Sequence, residues 1–233
     1  MFACRAPIVG FWLVPPVSHV QRVAPRARRD RMEDDATVAI GLGRFDPFTR
    51  SGVTAALAED RRLRVVAVDV DPADFEHSVH GDPQVLVVSE PDAIAALENA
   101  GTQHDVGIVV LAHDPSPLYG RVLLALGASC VARGAPIDAI LSACRLVGQG
   151  GRAFVPSTGR QPEQIPTKAP PLLTRQEKRV LKAISSGLLY AAIAAELSIE
   201  AETARKHTAN ICRKVGARRQ ELVGILSAEP RFG

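Results

Sequence analysis

The run Ser198-Ile199-Glu200-Ala201-Glu202-Thr203-Ala204-Arg205-Lys206-His207-Thr208-Ala209-Asn210-Ile211-Cys212-Arg213-Lys214-Val215-Gly216 has two opposed faces. Ala204, Thr208, Ile211, Cys212 and Val215 recur at the spacing of a buried helical stripe. Arg205, Lys206, Ala209, Asn210 and Arg213 fall opposite, so the helix turns cations outward, and Gly216 ends it. Upstream, Thr174-Arg175-Gln176-Glu177 reads as a capping box opening a helix whose inner face is Val180, Leu181 and Ile184. Gly187 supplies a left-handed stop. A second short helix, with Ile193, Ala194 and Leu197 inward, reaches the cationic one through the turn Ser198-Ile199-Glu200. Two helices joined by a short turn, the second cationic on its outer face, form the device that enters a DNA major groove.

The residues Leu173-Thr174-x-x-Glu177-x-x-Val180-Leu181, then Gly187, Ile193-Ala194, Leu197, Ile199, Thr203, Lys206-His207, Asn210-Ile211, Lys214 and Gly216 closely resemble the LuxR/NarL-type helix-turn-helix. The resemblance implies a recognition helix at Glu200–Val215, with Arg205, Lys206 and Ala209 reading bases. It implies that Thr203, His207, Arg213, Lys214, Arg218 and Arg219 contact phosphates or serve the scaffold. Two positions depart from the family. Glu200 stands where Ser or Thr usually caps the recognition helix, and Tyr190-Ala191-Ala192 replaces Asn-Lys-Glu. The last amphipathic segment, Arg219–Leu226, carries an apolar strip too small for a private core. Leu222, Val223 and Leu226 are therefore expected to form a homodimer contact.

Charge separates this unit from the rest of the 233 residues. Residues 172–226 hold ten basic side chains against five Glu, whereas residues 32–171 hold eleven basic against eighteen acidic. An acidic body with a compact basic end suggests a regulatory domain joined to a polyanion binder. No apolar run approaches the roughly 20 residues that span a bilayer, which excludes an integral membrane protein. Cys4, Cys130, Cys144 and Cys212 form no C-x-x-C pair, which suits a reducing cytoplasm better than a disulfide scaffold or zinc site. Residues 1–35 begin with the Pro-interrupted apolar patch Ile8–Val17, followed by arginines from Arg22 to Arg31. That order is wrong for a signal peptide, so a disordered tail or an over-extended start before Met32 is expected.

Between Thr37 and Gly148 short β-branched runs alternate with amphipathic stretches. Strands are expected at Val38–Leu42, Leu63–Val68, Val85–Val88, Val106–Leu111 and Ala128–Ala132. Helices are expected at Phe48–Ala58, Asp92–Ala100, Pro117–Leu126 and Pro136–Val147, with a partial one from Pro72 to His80. Apolar runs without period-two alternation fit parallel strands covered on both faces. The fold class is therefore an α/β doubly wound five-stranded parallel sheet at 36–150, then an all-α four-helix helix-turn-helix domain at 172–228. Residues 151–171, with Pro156, Pro162, Pro166, Pro170 and Pro171, read as a linker.

The α/β domain resembles the receiver of a response regulator. Asp46-Pro47-Phe48-x-Arg50-x-Gly52, Gly127-Ala128-Ser129, Ala135-Pro136 and Gly150-Gly151 carry that likeness. A working receiver needs an acidic pair for Mg²⁺, an Asp acceptor, a hydroxyl switch and a lysine. Those positions fall here on Arg44 and Phe45, on Ser89, on Ala112 and on Arg133, and none keeps its residue type. The resemblance thus implies an atypical response regulator without a phosphoacceptor: a cytoplasmic, DNA-binding transcriptional regulator, not an enzyme, with no metal or cofactor. Its partners are expected to be double-stranded DNA and a second copy, plus a small ligand or partner protein at the receiver-like domain. Two alternatives stand beside it. One is a conventional phospho-switch with a displaced acceptor such as Asp46 or Glu90. The other is a ligand- or nucleotide-binding α/β protein with an accessory basic domain. Against the latter, Gly41-x-Gly43 follows a strand but Asp46 occupies the third glycine position. Ser89, His113 and Asp114 lack a nucleophile elbow, and His77 and His80 lack a nearby Cys.

Overall fold

The computed structural model describes residues 11–12, 37–78, 82–100, 104–157 and 170–226. Its sheet contains β1 (Phe11–Trp12), β2 (Val38–Gly43), β3 (Leu63–Val70), β4 (Val85–Ser89), β5 (Gly107–Ala112), β6 (Ala128–Ala132) and β7 (Arg152–Val155). The spatial order is β1-β7-β6-β5-β4-β2-β3. Strands β2 to β7 pair in parallel, and β1 closes the β7 edge antiparallel. The chain thus starts near one edge, crosses to β3, then steps back through β4 and beyond. That reversal at β2 and β4 is the switch point of a doubly wound sheet.

Helices α1 (Pro47–Glu59) and α5 (Ile137–Gly148) contribute Leu57, Ala139, Leu141 and Val147 to a core on one face. Helices α3 (Ala93–Glu98) and α4 (Pro117–Leu126) contribute Ala93, Leu97, Val122 and Leu123 to a core on the other. The central strands β4, β5 and β6 are almost wholly buried, as their unalternating sequences require. Strand β3 is different: it is the edge, and Val68 on it is exposed. The expected partial helix resolves into a 3-10 turn (Pro72–Asp74) and the short α2 (Phe75–Ser78). His80 lies outside the described residues.

Three expectations are corrected. The sheet has a sixth parallel strand, because Arg152–Val155 pairs with β6 through Cys130↔Phe154 and Val131↔Val155. Residues Arg152–Val155 therefore belong to the sheet and not to the expected linker. Pro156 follows the last ladder pair, where a missing N–H costs nothing. Phe154 is fully buried against α4, and Gly120 permits that approach: a Cβ there would run into the Phe154 ring. Within the N-terminal 35 residues, Phe11–Trp12 takes part in the sheet by pairing with Arg152 and Ala153. The third expectation, a dimer strip on the last helix, fails because Leu222 is buried in its own domain.

The C-terminal domain comprises α6 (Arg175–Ser185), α7 (Tyr190–Leu197), α8 (Ala201–Val215) and α9 (Arg219–Leu222). It is not a bead on a string. Val122, Leu123 and Leu126 of α4 share one apolar core with Leu173, Val180, Leu181, Ile184, Ile211 and Val215. Polar bonds reinforce the junction: the Leu173 amide donates to the Ala125 carbonyl (2.8 Å), and Arg121 Nε donates to the Val215 carbonyl (2.9 Å). Lys182 Nζ reaches Glu98 (2.8 Å), and Arg152 donates to the Leu124 and Pro170 carbonyls.

Candidate nucleic-acid interface

The capping box is formed as its sequence requires. The Glu177 amide donates to Thr174 Oγ1 (3.3 Å), and the Thr174 amide donates to Glu177 Oε2 (2.7 Å). The stop at Gly187 has φ 81°, Ser198 turns the chain at φ 52°, and Gly216 ends α8 at φ 66°. Glu200 occupies the N-cap of α8 but makes no side-chain capping bond, leaving the first-turn amides of that helix open. Ala204, Thr208, Ile211 and Val215 are buried; the Thr208 hydroxyl is satisfied by the Ala204 carbonyl (2.8 Å). The opposite face projects Arg205, Lys206, Ala209 and Arg213 into solvent.

The cations of α8 and the segment after it fall into two sets. Arg205, Lys206, Arg213 and Arg218 are exposed; Arg205 lies 3.6 Å from Glu202, and Arg213 bonds Asn210 (3.1 Å). Lys214 and Arg219 are turned inward. Lys214 Nζ meets Glu177 Oε2 at 2.6 Å and the Leu172 carbonyl at 3.1 Å, with only 18% of its side chain exposed. Burial pushes the Glu177 carboxyl up, but the bonds from Lys214 and Thr174 outweigh it and hold it below the usual value. Arg219 donates to the Leu188 carbonyl and lies over the Tyr190 ring. Both inward cations are thus engaged within the domain. Thr203 and His207 are half-buried at the margin of the face.

Leu222 corrects the expected dimer strip. It is fully buried in its own domain, and α9 ends at it. The next residues turn back onto α6: the Gly224 amide donates to the Ser185 carbonyl (2.7 Å) and the Leu226 amide to Ser185 Oγ (2.8 Å). Val223 and Leu226 are half-buried against the same core. The strip looked too small for a core because the sequence hid its partners, which lie on α6 and in the α/β domain.

The residues expected at a degenerate receiver pocket all lie at or just past the C-terminal ends of strands. Arg44 and Phe45 follow β2, Ser89 and Ala112 end β4 and β5, and Arg133 follows β6. Arg44 pairs with Asp71 (2.9 Å), and Phe45 packs against the core. Ser89 Oγ donates to Asp92 (2.9 Å), Ala112 is buried, and the Arg133 guanidinium stands 4.0 Å from Asp46. Asp46 caps α1, and bonds from the Thr49 hydroxyl (2.6 Å) and amide (3.0 Å) lower its pKa. Glu90 accepts from the His113 amide (3.4 Å), and Asp114 from Ser157 (3.0 Å), so Ser89, His113 and Asp114 form no relay. Among the described residues no group of three His, Cys, Asp or Glu side chains could hold a metal ion. None of their helices is long and apolar enough to cross a membrane.

The arrangement defines a two-domain protein: a doubly wound α/β sheet whose C-terminal-edge acids are tied up, and a helix-turn-helix with a cationic outer face. Residues 171–225 match the sequence model of the luxR family of bacterial regulatory proteins, so the C-terminal domain is a LuxR-type helix-turn-helix. No curated protein sequence matches the chain. Similar solved structures include two RcsB dimers bound to two parallel DNAs, at 18% identity and TM-score 0.49 over 83% of this chain and 100% of that one. RcsB from Salmonella enterica serovar Typhimurium, bound to promoter rprA with the phosphomimetic BeF3-, is 19% identical with TM-score 0.45 over the same shares. The response regulator ChrA of a heme-sensing two-component system is 20% identical with TM-score 0.42, over 82% of this chain and 96% of that one.

Proposed function

We propose that the protein is a cytoplasmic, sequence-specific regulator of transcription that binds double-stranded DNA as a homodimer. The carrying observation is the sorting of cations in the C-terminal domain. Those needed to hold the fold are turned inward on carbonyls and Glu177, while Arg205, Lys206 and Arg213 share the open face of α8. Phosphates supply most of the affinity for such a face, and bidentate Arg or Lys contacts to guanine supply the discrimination. Arg205, Lys206 and Ala209 are assigned to bases, and Thr203, His207, Arg213 and Arg218 to the backbone. A two-fold pair of such domains reads an inverted repeat. The experiment is selection of duplexes from a random-sequence pool by the full chain, followed by footprinting. A symmetric repeat supports the reading; failure to enrich any sequence overturns it.

The second part of the proposal is that the α/β domain acts without phosphorylation of an Asp. Ser89 offers an alcohol where the acceptor carboxylate would stand, and its proton is already donated to Asp92. The Arg44 cation occupies the place of a metal-binding acid and is balanced by Asp71, so a divalent ion gains no ligand there. The domain then serves as a dimerisation or sensing unit, taking a small ligand or partner protein at the strand C-termini, where open α/β sheets bind ligands.

A further inference from the structure

We propose that Tyr190 is a positioning residue that holds Arg205 in its DNA-reading orientation. The inference rests on the reading of Arg205 as a base-contacting side chain and goes beyond it by naming what fixes that side chain. Tyr190 opens α7, the helix before the recognition helix, and its ring lies under the Arg205 guanidinium, 5.6 Å from centroid to carbon. The same ring takes Arg219 at 5.2 Å. Arg219 is held from α9: it donates to the Leu188 carbonyl, while its buried Nε has no hydrogen-bond acceptor among the described residues. A desolvated guanidinium whose bonds are incomplete gains from an aromatic face, so Arg219 and Tyr190 fix one another.

Arg205 has no comparable anchor of its own. Its side chain is 63% exposed, and its charged neighbour Glu202 is equally exposed at 3.6 Å. An arginine so placed loses much rotamer freedom when it engages a base, and holding it beforehand removes part of that cost. The planar guanidinium stacks on a ring while its N–H groups stay free at the rim, so the support does not consume the donors that would meet guanine. The ring thus couples α9, α7 and the exposed face of α8 through two cation–π contacts.

The test uses the duplex enriched by the full chain from a random-sequence pool. Binding is measured for wild type, Tyr190→Phe, Tyr190→Leu, Arg205→Ala and the Tyr190→Leu, Arg205→Ala double variant. Tyr190→Phe keeps the face and should bind like wild type. Tyr190→Leu keeps bulk without the face, and should weaken binding about two- to fivefold, the range of an exposed cation–π contact. It should relax preference at the same base that Arg205→Ala relaxes, and add nothing once Arg205 is gone. A Tyr190→Leu protein that binds and discriminates like wild type overturns the inference. So does a loss that persists undiminished without Arg205, which would place the effect in Arg219 and the fold. If Tyr190→Leu does not fold, the order of the Arg205 Nε–H group by NMR in the free wild-type protein decides: a restrained group supports the inference and a freely rotating one overturns it. An unenriched pool, by contrast, removes the DNA-binding reading itself, and this inference with it.

Discussion

Lys214 shows how much a residue's neighbours decide its work. The family resemblance allows it a phosphate or a scaffold role; the structure sets it, part-buried, against Glu177, which Thr174 also holds. Removing Lys214 leaves the Glu177 carboxylate without its cation, so Lys214→Met should destabilise the protein by about 1 to 3 kcal/mol, measured by urea unfolding. Glu177 has its carboxyl pKa lowered, so its stabilisation is present above the ordinary Glu value and is lost as pH falls through the lowered one. Wild type should therefore lose more melting temperature than Glu177→Gln between about pH 6 and pH 3; equal losses would contradict the account. The exposed cations behave otherwise. Arg205→Ala with Lys206→Ala should leave the melting temperature nearly unchanged while costing about 1 to 3 kcal/mol of binding per lost bidentate contact. Wild-type affinity of that double variant would remove both from the site.

Element boundaries were legible wherever the sequence carried its own punctuation. Helix α4 begins after a serine cap and is closed by Gly127, and its range equals the expected Pro117–Leu126. Capping box, turn and glycine stop likewise marked α6 to α8. Two elements lacked such marks. Strand β7 is only four residues long and stands between a glycine pair and a proline, so its pattern was swallowed by the linker. The segment after Gly216 looked like an unpartnered strip because its neighbours are distant in sequence: Ser185 bonds it, and Leu222 enters a core shared with α4. The strand-end placement of Arg44, Phe45, Ser89, Ala112 and Arg133 was legible in the sequence because each lies at or just past an apolar run; the ion-pair partners Asp71 and Asp46 were not. Close packing of β7 on α4 gives a direct check. Gly120→Val places new atoms against the Phe154 ring and should cost about 1 to 3 kcal/mol, and Phe154→Ala should recover part of that loss in the double variant. Additive losses would mean the two residues do not touch.

Across the whole molecule, one apolar core runs from the sheet through α4 into the helix-turn-helix, and Arg121 bonds the last turn of the recognition helix at Val215. The α/β domain is thereby fixed to the C-terminal end of α8, while Arg205 and Lys206 on its N-terminal half stay open. Such a junction predicts one cooperative calorimetric transition for the full chain, with ratio near unity between van't Hoff and calorimetric enthalpies; two resolved transitions would contradict it. On the proposed reading, that junction links the α/β domain to the DNA-binding face without any phosphoryl group. That claim is tested most directly by titrating the enriched duplex with the full chain in Mg²⁺, with and without acetyl phosphate, and weighing the protein from both arms. The account predicts the same affinity, the same sequence preference and the same intact mass in both. A protein that gains a phosphoryl group and binds the duplex more tightly would contradict it.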